Sequence, residues 1–138
     1  MSTQTQNPEQ LRILLAEDNP DWVDTITAYA KESGAVVVAI ATTFSEALEE
    51  IKHVKDKHID LVILGGSLDK QLKHTNSDLL LLILALNEVD ATIPTIALSG
   101  NDRGTERATI NVGKTLTFAQ DFTSALNQIM LGTSTTEN

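Results

Sequence analysis

Short apolar runs, several of them rich in β-branched residues, alternate along this chain with stretches whose apolar residues recur at helical spacing. The runs fall at residues 11–16, 35–41, 60–64, 95–98 and 109–112. Their lengths suit strands, and the stretches between them suit amphipathic helices. Strands that alternate with helices are typical of a parallel sheet covered by helices on both faces. The pattern therefore predicts a doubly wound α/β domain.

Residues at the ends of the helical stretches support this prediction. Asn19 and Pro20 are expected as the N-cap and first position of a helix, and Gly34 as the residue that ends it. Thr43 and Glu46 have the spacing of a capping box at the start of a second helix. The predicted buried stripes of the first, second and last helices are Trp22, Val23, Ile26, Tyr29 and Ala30; Phe44, Ala47, Leu48, Ile51 and Val54; and Phe118, Phe122, Ala125, Leu126 and Ile129.

One domain accounts for the length of 138 residues, and we expect it to cover residues 11–131, with disordered polar segments at 1–10 and 132–138. The net charge of −9 disfavours binding to nucleic acid or to an anionic membrane, because like charges repel. Cysteine is absent, and the N-terminus lacks the apolar core of a signal peptide. The longest apolar run, residues 79–86, is too short to span a bilayer. These features predict a cytoplasmic protein without membrane insertion.

Particular residues follow the ends of the predicted strands. The acidic pair Glu17 and Asp18 follows the first strand, Gly65 the third, Ser99 the fourth and Lys114 the fifth. In doubly wound sheets, ligands bind outside the carboxyl ends of the strands. We therefore expect these five residues to lie along one edge of the sheet.

This order of residues resembles the receiver domain of bacterial response regulators. The resemblance implies a flavodoxin-like fold with a five-stranded parallel sheet in the order 2-1-3-4-5. It also implies a phosphorylation site in which Glu17 and Asp18 hold Mg²⁺ while Ser99 and Lys114 bind phosphoryl oxygens. In that family the residue after the third strand is the aspartate that accepts phosphate, and here it is Gly65. The chain thus resembles a degenerate pseudo-receiver that has lost its acceptor.

Further family features are missing from the C-terminal half. Residues 100–107 are polar and contain two glycines, so the family's fourth helix is expected to be short or absent. Asn111 lies at the position where the family has an aromatic residue whose side chain moves inward on phosphorylation. Without the third carboxylate, Mg²⁺ would lose a ligand. We therefore predict no resident metal and no other cofactor, with Lys114 pairing directly with Asp18 or Glu17.

The third helix, expected from residue 76 or 77 to 87, is apolar all round. A helix that packs on a sheet needs apolar residues along one stripe only. Aligned on the family pattern, Leu80, Ile83 and Leu84 fall where charged residues usually lie. We predict that these three side chains form an interface with a sensor kinase, a downstream regulator or a second copy of the chain. The alternative is that the long preceding loop folds over them.

These features predict a non-enzymatic, phosphorylation-independent module that acts by protein contact in bacterial signal transduction. Two alternatives remain open. Asp69 could replace Gly65 as a phosphoryl acceptor, which would make the chain a working response regulator. The adjacent glycines Gly65 and Gly66 could instead let the backbone approach a phosphate, as in a small-ligand or nucleotide sensor. No Gly-rich nucleotide motif accompanies the pair.

Overall fold

A computed structural model describes residues 10–65, 75–98, 110–112 and 117–134, with the backbone alone for 75–80, 111 and 131–134. The described residues form a five-stranded parallel sheet in the order β2-β1-β3-β4-β5, which confirms the predicted flavodoxin-like order 2-1-3-4-5. The strands are β1 Leu11–Ala16, β2 Ala35–Ala41, β3 Leu61–Gly65, β4 Thr95–Leu98 and β5 Ile110–Asn111.

Four helices lie within the described ranges: α1 Pro20–Glu32, α2 Phe44–Ile51, α3 Thr75–Asp90 and α4 Phe118–Ser134. The third helix extends three residues beyond the predicted end at residue 87. The last helix continues past residue 132, where the polar tail was expected to begin. Residues 100–107, where a short fourth helix of the receiver family was expected, lie outside the described residues. None of the described helices is both long and apolar enough to cross a membrane.

The predicted caps of the first two helices are present. The Asn19 side chain accepts a hydrogen bond from the Asp21 N–H at 2.9 Å, and Gly34 has a φ of 91°, which favours glycine. At α2, the Thr43 hydroxyl accepts from the Glu46 N–H at 3.1 Å. The Glu46 carboxylate reaches back to the Thr42 N–H at 2.8 Å, one residue before the position expected in a capping box.

Two apolar layers enclose the sheet. One, the α1/α4 layer, joins alternate residues of the central strands to helices α1 and α4, and the other, the α2/α3 layer, joins the opposite residues to helices α2 and α3. In β1, for example, Ile13 and Leu15 belong to the α1/α4 layer, whereas Leu14 and Ala16 belong to the α2/α3 layer. Opposite faces of each central strand are therefore buried, as a doubly wound sheet requires.

A β-bulge interrupts the pairing of β1 with β2. Ile13 pairs with Val37, but Leu14 pairs with Ala39, so β2 contains one extra residue, Val38. Val38 and Ala39 both pack against the α2/α3 layer. The next residue, Ile40, pairs with Leu15 of the α1/α4 layer. The extra residue thus turns Ile40 towards α1, where without the bulge it would face the opposite layer.

Candidate functional site

Glu17 lies at the carboxyl edge of the sheet, directly after β1. Its N–H donates to the Ala41 carbonyl at 2.9 Å, which ties the residue to the end of β2. On the other side, Ala16 pairs with Leu64, so the end of β1 runs beside Gly65, the last residue of β3. The structure therefore brings Glu17 and Gly65 together at this edge. Only 1% of the Glu17 surface is exposed to solvent.

The Glu17 side chain fills the space that a side chain at position 65 would need. A Cβ built on Gly65 would overlap Oε1 of Glu17 and would lie 3.0 Å from both the Glu17 Cδ and the Ala16 carbonyl oxygen. Real Cβ atoms essentially never come this close to another atom, so a side chain at position 65 would require the flexible end of Glu17 to shift. The second carboxylate oxygen, Oε2, accepts a hydrogen bond from the Asn19 N–H at 3.1 Å. Gly65 is thus the residue that lets a neighbouring carboxylate lie against the β3 backbone.

The sequence analysis did not predict this contact; it predicted Glu17 as a metal ligand or an ion-pair partner. The contact depends on the register of β1 against β3 and on the rotamer of Glu17, and a linear pattern contains neither. The one available signal was the coincidence of an acidic residue and a glycine at the ends of adjacent strands.

Glu17 and Asp18 are the two residues of the predicted Mg²⁺ site that the structure describes. Within residues 10–65, 75–98, 110–112 and 117–134, no three histidine, cysteine, aspartate or glutamate side chains converge to hold a metal ion. One oxygen of the Glu17 carboxylate lies beside Gly65, and the other accepts a hydrogen bond from the Asn19 N–H. Mg²⁺ in proteins usually keeps several waters and is held by one or two carboxylates. The absence of a resident metal therefore stays a prediction.

The other residues of the expected site lie outside the described residues. These are Ser99, the predicted hydroxyl, and Lys114, the predicted partner of Asp18 or Glu17. Gly66 and Asp69, on which the two alternative functions depend, also lie outside them. The predictions that concern these four residues therefore stay predictions.

A second feature lies beside the acidic pair, between the start of α1 and the end of β2. It is an open pocket of about 190 Å³ with mostly apolar walls. Of the site residues expected from the sequence, Asp18 alone contributes to it. The lining residues are Asp18, Pro20, Val23, Asp24, Ile40 and Thr42. Sequence reasoning missed this pocket because the bulge in β2 decides which way Ile40 faces.

On α3, the prediction of the outer face was wrong at Ile83. This side chain is only 2% exposed and belongs to the α2/α3 layer. Leu84 is 38% exposed, in line with the predicted outer face, whereas the side chain of Leu80 lies outside the described residues. Leu81, which was not expected to be exposed, has 52% of its surface open to solvent. A helical run without polar residues has no polar side that marks which residues face solvent. The residues of α3 that face the sheet could therefore not be assigned from the sequence.

Comparison with known proteins identifies the fold. No protein-family model matches the chain, and no curated protein matches its sequence. Among solved structures, a response regulator receiver protein from Sinorhizobium medicae WSM419 is 20% identical, with a TM-score of 0.70 over 89% of this chain and 96% of that chain.

Two further structures give the same result. A CheY-like response regulator receiver domain protein from Methanospirillum hungatei JF-1 is 16% identical, with a TM-score of 0.70 over 94% of this chain and 100% of that chain. The anti-anti-sigma factor PhyR from Bartonella quintana is 20% identical, with a TM-score of 0.66 over 93% of this chain and 50% of that chain. This chain therefore has the fold of a response regulator receiver domain.

Proposed function

We propose that this chain is a phosphorylation-independent pseudo-receiver, a cytoplasmic module that acts by protein contact in bacterial signal transduction and catalyses no reaction. The observation that carries the proposal is the pairing of Gly65 with Glu17. Residue 65 has no side chain to accept a phosphoryl group, and the Glu17 carboxylate fills the adjacent space. The chain thus combines the receiver fold with a site in which Glu17 fills the space beside the missing acceptor.

The packing of Glu17 beside Gly65 supports the proposed loss of the acceptor. An aspartate at position 65 would place its Cβ against the Glu17 carboxylate and would bring a second negative charge into a buried position. Two carboxylates that share a buried site repel each other, and burial of an unpaired charge is costly. We expect Lys114 to neutralise Glu17 or Asp18 in place of a metal ion.

Exposed leucines on α3 support action by contact. Leu81 and Leu84 are the large apolar side chains of α3 that remain exposed in the described part of the chain. Exposed apolar groups of this kind mark contact surfaces when they cluster. The partner under this proposal is a sensor kinase, a downstream regulator or a second copy of the chain. PhyR, whose structure is similar to this one, is named as an anti-anti-sigma factor.

The test is incubation of the protein with acetyl phosphate and Mg²⁺, followed by measurement of the intact mass. We expect no gain of a phosphoryl group. A gain that hydroxylamine removes would overturn the proposal, and its loss in Asp69→Ala would identify Asp69 as the acceptor. A thermal shift with nucleotides would support the ligand-sensor alternative instead.

Two variants show whether Glu17 itself blocks the site. In Gly65→Asp we expect no phosphorylation, because the Glu17 carboxylate occupies the space of the new side chain. In the double variant Glu17→Asp/Gly65→Asp, the shorter acid at position 17 leaves room, and we expect phosphorylation to appear. Equal phosphorylation of the single and double variants would mean that Glu17 moves aside freely.

A further inference from the structure

We infer that the pocket between α1 and the end of β2 binds an arginine or lysine side chain of a partner protein. This inference rests on the proposal that the chain acts by protein contact, and it adds the chemistry of one point of that contact. The pocket is lined by the start of α1 and by Ile40 and Thr42 at the end of β2. It is separate from the contact between Glu17 and Gly65, to which neither Ile40 nor Asp24 contributes.

The bulge in β2 builds the apolar wall of this pocket. Because Val38 is an extra residue, Ile40 comes into register with Leu15 and turns towards α1. There it joins Val23 and Pro20 in the pocket wall, yet 47% of its surface stays exposed. A large aliphatic side chain that is exposed to solvent at this position provides apolar surface for a ligand. A regular strand would direct the side chain of residue 40 to the opposite layer.

The charge of the pocket selects a cation. Asp18 and Asp24 both line it, and within the described part of the chain neither side chain forms a hydrogen bond or ion pair. No lysine or arginine is among the lining residues. The net charge of −9 adds a long-range attraction for basic partners. These carboxylates would repel an acidic ligand, and a purely apolar ligand would leave them poorly solvated.

The size and the walls of the pocket indicate a side chain. Its volume of about 190 Å³ is below the range of roughly 300–1,000 Å³ that is usual for small-molecule sites. Arginine and lysine combine an aliphatic stem with a charged end, so the stem can lie on Ile40 and Val23 while the cation meets the carboxylates. Arginine can also bind a carboxylate through two parallel hydrogen bonds. A divalent metal ion fits less well, because two carboxylates beside apolar walls supply too few oxygens.

The experiment is an NMR titration of the ¹⁵N-labelled full chain with N-acetyl-arginine amide. The neutral isostere N-acetyl-citrulline amide is the matched probe. We expect millimolar binding of the arginine probe, with the largest amide shifts at Asp18, Val23, Asp24, Ile40 and Thr42. Citrulline should bind roughly three- to fivefold more weakly, the effect of losing a part-exposed ion pair.

Variants on one helix supply the control. Asp24→Asn should weaken binding of the arginine probe by roughly the same factor, because it removes one carboxylate from the pocket. Asp21→Asn makes the same change in charge three residues earlier on α1, outside the pocket lining, and should leave the affinity unchanged. Ile40→Ser should weaken both probes alike, since it removes apolar wall. The amide spectra themselves show that each variant is folded.

Three results would each overturn the inference: no localised shifts at the solubility limit of the arginine probe, equal binding of citrulline, or equal effects of Asp21→Asn and Asp24→Asn. The phosphorylation test is independent of all of them. Failure of the titration with no phosphorylation would reject the basic side chain and leave the pseudo-receiver proposal standing. Localised arginine binding by a chain that also accepts phosphate would reject the pseudo-receiver and leave the pocket standing.

Discussion

The two layers that cover the sheet differ in how they are built. The α1/α4 layer is centred on aromatic rings: Trp22 meets Phe118 edge-on with ring centroids 4.7 Å apart, and Phe118 stacks on Phe122 at 5.4 Å. The fully buried members of the α2/α3 layer are all aliphatic. That layer also contains the helix on which Leu81 and Leu84 remain exposed.

The difference lies in where each layer leaves apolar surface exposed. In the α1/α4 layer, the rings contact one another, and Ile40 at the end of β2 is a large aliphatic side chain that stays exposed on this side of the sheet. On α3, by contrast, a helix with apolar residues on every side has more apolar surface than one face of the sheet can bury. Ile83 is buried in the α2/α3 layer, whereas its neighbour Leu84 is exposed. We therefore expect substitutions in the two layers to affect different properties of the protein.

The largest effect is expected from Phe122→Ala in the α1/α4 layer. Phe122 is fully buried and stacks on Phe118, so the variant loses both apolar burial and a ring contact. We expect the free energy of unfolding to fall by about 3–5 kcal/mol, as for other large core truncations. Unfolding in urea, followed by circular dichroism, measures this change. A loss below about 1 kcal/mol would show that the aromatic cluster is not central to stability.

Leu82→Ala tests the α2/α3 layer, with Leu81→Ala as its matched control one residue away. Leu82 is fully buried, so we expect a loss of about 2–5 kcal/mol in the free energy of unfolding. Leu81 is half exposed, and its truncation should cost far less, within about 0.5 kcal/mol. The same urea experiment compares the two. Similar losses in both variants would mean that α3 is rotated about its axis from the orientation described above.

The sequence predicted those features of the fold and site that depend on local signals. Asn19, Gly34 and Thr43 have local roles at helix ends, and the structure has them in those roles. Ile83 was assigned to the wrong side because the run around it lacks a polar residue to set the phase. The packing of Glu17 against Gly65 could not be predicted, because it requires the distance between two strands that are far apart in sequence.

The helix caps of the two layers should contribute about equally. Asn19→Ala at α1 and Thr43→Ala at α2 should each lower the free energy of unfolding by about 1 kcal/mol, because each removes the acceptor of one backbone N–H. Both can be measured by thermal or urea unfolding. A loss at one helix only would mean that the other layer holds its helix without a cap.

The α2 cap also adds a dependence on pH. The hydrogen bond from the Thr42 backbone N–H, helped by the Thr42 hydroxyl, holds the pKa of Glu46 below its usual value. A lowered pKa in the folded state stabilises the protein above the usual carboxyl range, and this contribution is lost as the pH falls through the folded pKa. Glu46→Gln should therefore be less stable than the parent at neutral pH, and the two stability curves should converge in acid. Parallel curves would contradict the assignment.

The smallest effect on stability is expected from Leu81→Glu and Leu84→Glu together, although their effect on association should be clear. Both side chains are substantially exposed, so the free energy of unfolding should change by less than about 0.5 kcal/mol per site. If the chain self-associates through α3, its mass by light scattering should fall to that of a monomer. If a kinase or regulator binds there, that binding should be lost. Glu88→Gln, also exposed on α3, is the control. Unchanged association of a folded variant would exclude this face as the interface.

The bulge at Val38 has a consequence for aggregation. β2 is an edge strand with the uncharged sequence AVVVAIA, which is the composition of segments that stack into amyloid. A flat edge of this kind is a template on which another chain can add a strand, and a bulge distorts that template. Deletion of Val38 should therefore accelerate fibril formation, measured by thioflavin T fluorescence, and equal rates would reject the idea. The same bulge that keeps Ile40 turned towards α1 would then also help to keep the protein from polymerising with itself.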